Sequence, residues 1–334
     1  MNSESSNLNP FSEATMYPDN TKVTGHGMIK KYDIRVGKTN NKYVDIVLAD
    51  KSGEVNAKFF NYIDGTSEIF IPGDLVGYSG MVRRFNGAFQ VTLEDVWKAP
   101  SNVKIEDYVK SADYPSEDMF AKIITMVGSF QDEDLKKLTL AIYEKYQEKL
   151  MYFPAAVRMH HAMRGGLLFH TLSIMTLAEK ICQVYPQVDR DLLLCGAALH
   201  DIGKISEMGS NEMGVASEYT VDGNLVGHLV RGAMIVRFTG TKLSIDDDKL
   251  RLIEHMLLSH HGNPEFGAAV RPMFLEASLL HELDEMDARV YEFSELEAGL
   301  DADTFSARQW GLDDIKVYNP GRKDDLRPTA NLLD

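Results

Sequence analysis

Cysteine, long apolar runs and net positive charge are all scarce in this 334-residue chain. Its two cysteines, Cys182 and Cys195, both sit in apolar helical sequence. Two such thiols fit a reduced, cytoplasmic protein better than a disulfide framework or a Cys-metal site. No apolar run approaches the roughly 18–20 residues of a membrane span, so no membrane partner is expected. The opening MNSESSNLNP is polar and lacks the basic and apolar regions of a secretory leader. Internal repeats and long low-complexity tracts are missing as well.

The net charge of −15 argues against phosphate contact by the chain as a whole. The deficit is uneven, however. Asp19 to Lys110 holds 13 Lys/Arg against 12 Asp/Glu, so nearly all the acidity lies outside that segment. An acidic remainder is compatible with a metal enzyme, because divalent ions supply the missing positive charge.

The same segment carries a β pattern. Val23–Ile29, Tyr43–Leu48, Val55–Phe60, Leu75–Val82 and Ala88–Leu93 read as strands. Asp50-Lys51-Ser52-Gly53, Pro72-Gly73-Asp74 and the hairpin signal Asn86-Gly87 separate some of them. Five short strands in about 80 residues predict a small closed barrel of the oligonucleotide-binding (OB) type. From about residue 103 the period is helical. Ser116-Glu117-Asp118 and Asp132-Glu133-Asp134 are helix starts, and helical character continues over 254–258 and 273–290. The expected organisation is a flexible arm (1–18), the barrel (19–100), a helical linker (101–150), an all-α bundle (151–304) and an extended tail (305–334). Trp310 and Tyr318 are its expected anchors.

Chemistry concentrates in Leu199-His200-Asp201-Ile202-Gly203-Lys204, which directly follows the apolar run 192–198. Charge placed at the end of a buried element is costly unless it is paired or bound to metal. His170 opens an amphipathic helix, and His228, His260-His261, Asp284 and Asp287 lie beside other core-facing helical stripes. Stacked as a bundle, these helices point imidazoles and carboxylates at one centre. Such donors without thiolate suit Mn²⁺, Fe²⁺, Co²⁺, Ni²⁺ or Zn²⁺. Their number exceeds one tetrahedral site and matches a bridged pair of ions, able to activate water at a phosphoryl group.

An H…HD…D pattern on helices resembles the HD-domain metal-dependent phosphohydrolases. The flanks Tyr152–Ala156, Gly165–Thr171, Ser259–Gly262, Glu276-Ala277 and Leu280–Asp284, behind an OB barrel, resemble the YhaM-type 3′-5′ exoribonucleases over about residues 20–320. The resemblance implies that His170, His200, Asp201 and Asp284 hold one ion. Asp201 then bridges to a second ion held by His228, His260 and His261, with the choice between the two adjacent histidines left open. It implies that Lys204 meets a phosphate oxygen, making Lys204 and Asp201 the catalytic pair. Asp284 is preferred over Asp287 by motif position alone. The activity implied is metal-dependent 3′-5′ removal of nucleoside 5′-monophosphates from single-stranded RNA, with single-stranded DNA as a further substrate. Mn²⁺ is favoured, with Mg²⁺ also admitted.

Two other readings stand beside this one: hydrolysis of nucleotides or cyclic dinucleotides under a regulatory barrel, and non-catalytic single-strand binding. His160 and His161 are either groups that orient ligands or a surface pair. Arg164 and Arg271 are phosphate-binding or plain surface ion pairs. On the barrel, Lys30, Tyr32, Arg83, Arg84 and Phe85 are the expected nucleic-acid contacts, since aromatic faces beside cations suit a single strand. A homo-oligomer is compatible with the acidic helical surface, although no heptad pattern asks for one.

Overall fold

The computed structural model describes residues 6–37, 40–85, 87–100, 103–156, 161–211, 213–322 and 331–333. It divides into two compact units, Met1–Ser111 with Asn211–Val215, and Ala112–Ser210 with Ala216–Asp334.

In the first unit, β1 (Ser6–Asn7) lies parallel to β2 (Lys22–Val36). β3 (Lys42–Asp50), β4 (Gly53–Phe59), β5 (Leu75–Phe85) and β6 (Ala88–Lys98) complete the sheet. Alternation decides which face is core: Val44, Ile46 and Leu48 on β3, and Val55 and Ala57 on β4, are buried. The turn between these strands is held by Asp50 Oδ1, which accepts from the amides of Ser52 (2.8 Å) and Gly53 (3.0 Å). The order β2-β3-β4-β6-β5, with β5 pairing back to β2 and β4 parallel to β6, closes a five-stranded OB barrel. In the β5–β6 connection Gly87 takes φ 81°, while Asn86 lies outside the described residues. The segment expected as an arm contributes Leu8, Phe11 and Ala14 to the barrel core, and Asp50 Oδ2 accepts from the Phe11 amide at 2.8 Å.

The second unit is helical: α1 (Ser116–Gly128), α2 (Glu133–Leu150), α3 (Gly166–Val184), α4 (Arg190–Leu199) and the short α5 (Lys204–Glu207). A small hairpin, β7 (Met208–Ser210) and β8 (Ala216–Tyr219), leads into α6 (Val221–Leu225), α7 (Gly227–Lys242), α8 (Asp247–Ser259) and α9 (Leu275–Ala298). Asp132 caps α2 by accepting from the amides of Asp134 and Leu135. Expected as a linker, α1 and α2 place Met119, Ile123, Val127, Leu138 and Ile142 in one core with α3 and α4. Every residue of α4 from Asp191 to Leu199 is buried. Truncating Leu193 or Leu194 to Ala there costs about 2–5 kcal/mol.

After α9 the chain does not run extended. β9 (Phe305–Gln309) and β10 (Ile315–Tyr318) form an antiparallel hairpin. Its anchors are the buried Leu312 and Val317, which corrects the expectation for Trp310 and Tyr318: Trp310 is 87% exposed and Tyr318 43%. Between Lys22 and Asp50 the chain alternates strictly enough to be read; at 305–318 a short two-stranded piece buries too few side chains to leave such a pattern.

Candidate metal centre

Four helix ends build the site. His170 lies in the first turn of α3 and His228 in the first turn of α7; His200 and His260 cap the C-termini of α4 and α8. The turn after His200-Asp201 needs glycine at 203. A Cβ there would stand 2.0 Å from the His228 carbonyl oxygen, so only Gly203 lets α7 approach closely enough to present His228. Gly262, at φ 75°, makes the equivalent sharp exit from α8, against the ring of His281.

Each of these four imidazoles has its Nδ1 held and its Nε2 aimed inward. His200 Nδ1 donates to the Ala197 carbonyl and His260 Nδ1 to the Leu257 carbonyl, both at 2.8 Å. A carbonyl only accepts, so the tautomer is fixed and Nε2 keeps its lone pair for a ligand. His170 Nδ1 is 2.7 Å from Asp287 Oδ2, and His228 Nδ1 is 2.9 Å from Glu207 Oε1. Carboxylate or carbonyl behind imidazole is the arrangement that orients metal-binding histidines.

Asp201, 2% exposed, sits where these nitrogens converge. Its Oδ2 lies 3.3 Å from His200 Nε2 and 3.6 Å from His170 Nε2. Its Oδ1 lies 3.6 Å from His228 Nε2 and 3.7 Å from His260 Nε2. Asp284 Oδ1 approaches His170 Nε2 at 3.1 Å. His170-His200-Asp201, His200-His260-Asp284 and His228-His260-His261 each bring their ligand atoms within 4.8 Å of one another. Both adjacent histidines therefore reach the centre: His261 stacks edge-on to His260 at 4.5 Å and tilts against His228 at 5.1 Å.

Electrostatics divide this cluster. Burial alone would strip His170 of its proton, but Asp284 and Asp287 outweigh it and lift the group to about 10. Burial opposes ionisation of Asp284, which its hydrogen bond with His170 and the nearby imidazoles nevertheless hold far below the usual carboxylate range. His261 goes the other way. Burial, then its neighbours His260 and His228, push it down to about 3. Three buried atoms have no hydrogen-bond partner: Asp201 Oδ1, His228 Nε2 and His260 Nε2. A buried polar atom left unpaired costs about 1–3 kcal/mol, and a cation seated among these three would satisfy all of them. The donor set thus fits divalent metal.

Lys204 pairs with Asp201 Oδ2 at 2.6 Å. Burial disfavours its charge, and Asp201 more than restores it, raising the ammonium above its ordinary value. Asp201, Lys204, His228, His260, His261 and Asp284 line one cleft of about 490 Å³. His161 is buried and joins His170 on Asp287, at 2.8 Å, so it faces the centre rather than the surface. His160 lies outside the described residues. The half-buried Arg164 and the exposed Arg271 do not line the cleft.

On the barrel, the expected contacts are arranged unevenly. Phe85 is 70% exposed, Arg83 is half-buried, and Lys30 is exposed but ion-paired with Glu54. Tyr32 leans on Phe70, its ring edge-on at 6.1 Å, and donates to the Glu68 carbonyl. Arg84 corrects the reading: its guanidinium donates to the carbonyls of Thr15 (2.8 Å) and Tyr17 (3.4 Å), clamping the N-terminal segment to β5. Sequence reasoning did not pick out the Tyr43–Phe60 pair, with ring centroids 5.4 Å apart and Lys58 Nζ 5.4 Å from the Tyr43 ring. It also missed Glu207, which receives the backbone amide as well as Nδ1 of His228.

An OB barrel followed by a helical unit with this His/Asp cluster defines a metal-dependent phosphohydrolase of the HD class. The HD-domain family model matches residues 167–289, and a model described as a putative helicase matches 110–187. The 3′-5′ exoribonuclease YhaM of Listeria welshimeri is 33% identical over 296 residues, 88% of this chain and 94% of that protein. The protein of the same name from Bacillus licheniformis is 29% identical over 295 residues, 88% and 93% of the two chains. Among solved structures, the second OB-fold domain of replication protein A from Methanococcus maripaludis is 15% identical. It covers 30% of this chain and all of that one, at a TM-score of 0.23. The chain belongs to the YhaM family of 3′-5′ exoribonucleases. Its HD domain implies dependence on a divalent metal. Among the described residues, no helix is long and apolar enough to cross a membrane.

Proposed function

We propose that this protein is a metal-dependent 3′-5′ exoribonuclease that shortens single-stranded RNA to nucleoside 5′-monophosphates. The observation that carries the chemistry is Asp201, with one oxygen facing His170 and His200 and the other facing His228 and His260. That placement supports two ions, with His170, His200, Asp201 and Asp284 holding one, and Asp201, His228, His260 and His261 the other. When bound, the ions supply Lewis acidity, which activates water and neutralises charge on the phosphoryl oxygens. The chain's own groups do the rest. Asp287 and Glu207 fix the imidazoles of His170 and His228. Lys204 brings a cation to the cleft, where a phosphate oxygen can share it with Asp201. Mn²⁺ suits the mixed imidazole and carboxylate donors, and Fe²⁺, Co²⁺, Ni²⁺, Zn²⁺ and Mg²⁺ are the competitors to test.

The barrel fits a strand-holding role, with Tyr43, Phe60 and Lys58 as a stacking surface beside Phe85. The same surface would take single-stranded DNA. Cys195, buried and pushed up to about 12, and the free Cys182 suit the cytoplasm.

The test is 5′-labelled single-stranded RNA with Mn²⁺, with and without EDTA, beside cyclic dinucleotides and mononucleotides. The expected result is a ladder shortening from the 3′ end that EDTA abolishes. Turnover of the small nucleotides with intact RNA would overturn it.

A further inference from the structure

The cleft of the metal centre has two unlike rims. On the α9 side it is charged: Glu285, Arg289 and Glu292 line it, with Arg289 Nη2 paired to Glu285 at 2.8 Å. On the side of His228, His260 and His261 it carries two large aromatic rings, Tyr219 and Phe266. Tyr219 is 51% exposed and Phe266 70%. Neither ring stacks on another aromatic side chain among the described residues.

Their positions are fixed by the elements that carry the ligands. Tyr219 ends β8 and pairs in register with Met208, the residue after Glu207, which holds His228. The next residue, Thr220, donates its amide to the Glu207 carbonyl at 2.9 Å. Phe266 ends the short turn Pro264–Phe266, a few residues beyond His260-His261, and that turn closes through Gly267 at φ 98°. A ring half or more exposed is a poor use of apolar area unless something planar covers it. Beside a phosphodiester-cleaving centre, the planar group that arrives with every phosphate is a nucleobase.

Resting on the exonuclease reading above, we infer that Tyr219 and Phe266 stack the base of the 3′-terminal nucleotide and so position its phosphate over the metal centre. They are positioning residues and take no part in bond making or breaking. Stacking tolerates any base, since every base has a π face. Base identity at the 3′ end then matters little, and the presence of a base matters a great deal.

The experiment uses the full chain with Mn²⁺ and two RNA oligonucleotides differing only at the 3′ terminus, one ending in a normal nucleotide and one in an abasic residue. The wild type is expected to remove the base-bearing residue about tenfold faster at subsaturating substrate. Tyr219→Ala and Phe266→Ala shrink that ratio toward one by raising KM, while Tyr219→Phe and Phe266→Trp keep it. A second readout needs no turnover. In EDTA, a 3′-terminal 2-aminopurine is quenched on binding to the wild type and not on binding to the double alanine variant. Equal rates on both substrates by the wild type, or an unchanged ratio in both alanine variants whose melting temperatures match the wild type, would overturn the inference. No shortening of the base-bearing RNA by the wild type would instead overturn the exonuclease reading on which it rests.

Discussion

On the Oδ2 side of Asp201 the chain answers its own charge. Lys204 pairs with that oxygen, and the protonated His170 is shared between Asp284 and Asp287. On the Oδ1 side nothing does: His228 Nε2, His260 Nε2 and Oδ1 itself are buried without partners. Both halves consist of imidazoles with a fixed Nδ1 around the same carboxylate, yet one can fold with protons and an ammonium in place of metal, and the other cannot satisfy itself. The difference teaches how a site that binds metal tightly can still belong to a chain that folds. Buried polar groups are paired wherever folding allows, and the unpaired remainder marks where a cation gains most.

The largest effect should come from the group common to both halves. Asp201→Asn keeps the shape and removes the charge, so the activity with Mn²⁺ is expected to fall on the order of 10³-fold or more, read as the single-turnover rate of RNA shortening. Activity within tenfold of wild type would mean that the halves do not share this carboxylate. Single-sided variants come next. Asp284→Ala strips the Oδ2 half and His260→Ala the Oδ1 half, and each protein should retain about one fewer Mn²⁺ after dialysis than the wild type, measured by elemental analysis. Two ions retained in both variants would break the comparison.

How legible was this in the sequence? His200-Asp201 could be found because both members are adjacent and close an apolar helix, and the barrel because alternation over 80 residues is hard to produce otherwise. Glu207 was hidden: it acts on a histidine 21 residues away, across the β7–β8 hairpin, and no spacing rule links them. Asp287 was visible, but not its task, since whether a carboxylate meets Nδ1 or Nε2 of His170 depends on how α9 packs on α3. Arg84 misled for a related reason. An Arg beside Phe on a strand looks like a phosphate contact until the segment it clamps, Thr15 to Tyr17, is seen to be folded against it. Composition could not show that either.

The orienting carboxylates offer a finer cut. Glu207→Gln on the Oδ1 half and Asp287→Asn on the Oδ2 half should each lower metal affinity or activity about 10–100-fold, without removing any ligand. The comparison sharpens if the Glu207 variant loses affinity more steeply, since His228 has no second acceptor in place, whereas His170 keeps Asp284. Titration with Mn²⁺ followed by calorimetry reads both constants.

The smallest effect is on stability, and its sign separates the halves. In the metal-free protein His170 ionises near 10, well above an unfolded histidine at about 6.5. Its contribution is therefore complete below about 6.5 and is lost as pH rises toward 10. His261, held near 3, does the reverse: the unfolded chain takes up a proton below about 6.5 that the fold refuses, so its cost appears only on the acid side. Between pH 7 and 8.5 His170 acts, while the buried Cys195 thiol, which begins to matter nearer 9, stays silent. Thermal melts in EDTA should show Tm falling by roughly 5 °C across that window. Asp284→Asn should flatten the fall, because it withdraws one of the two carboxylates that raise His170. Saturating Mn²⁺ should flatten it too, because the ion replaces the proton. A wild-type curve that is level in EDTA, or that rises, would show that the Oδ2 half is no better compensated than its neighbour.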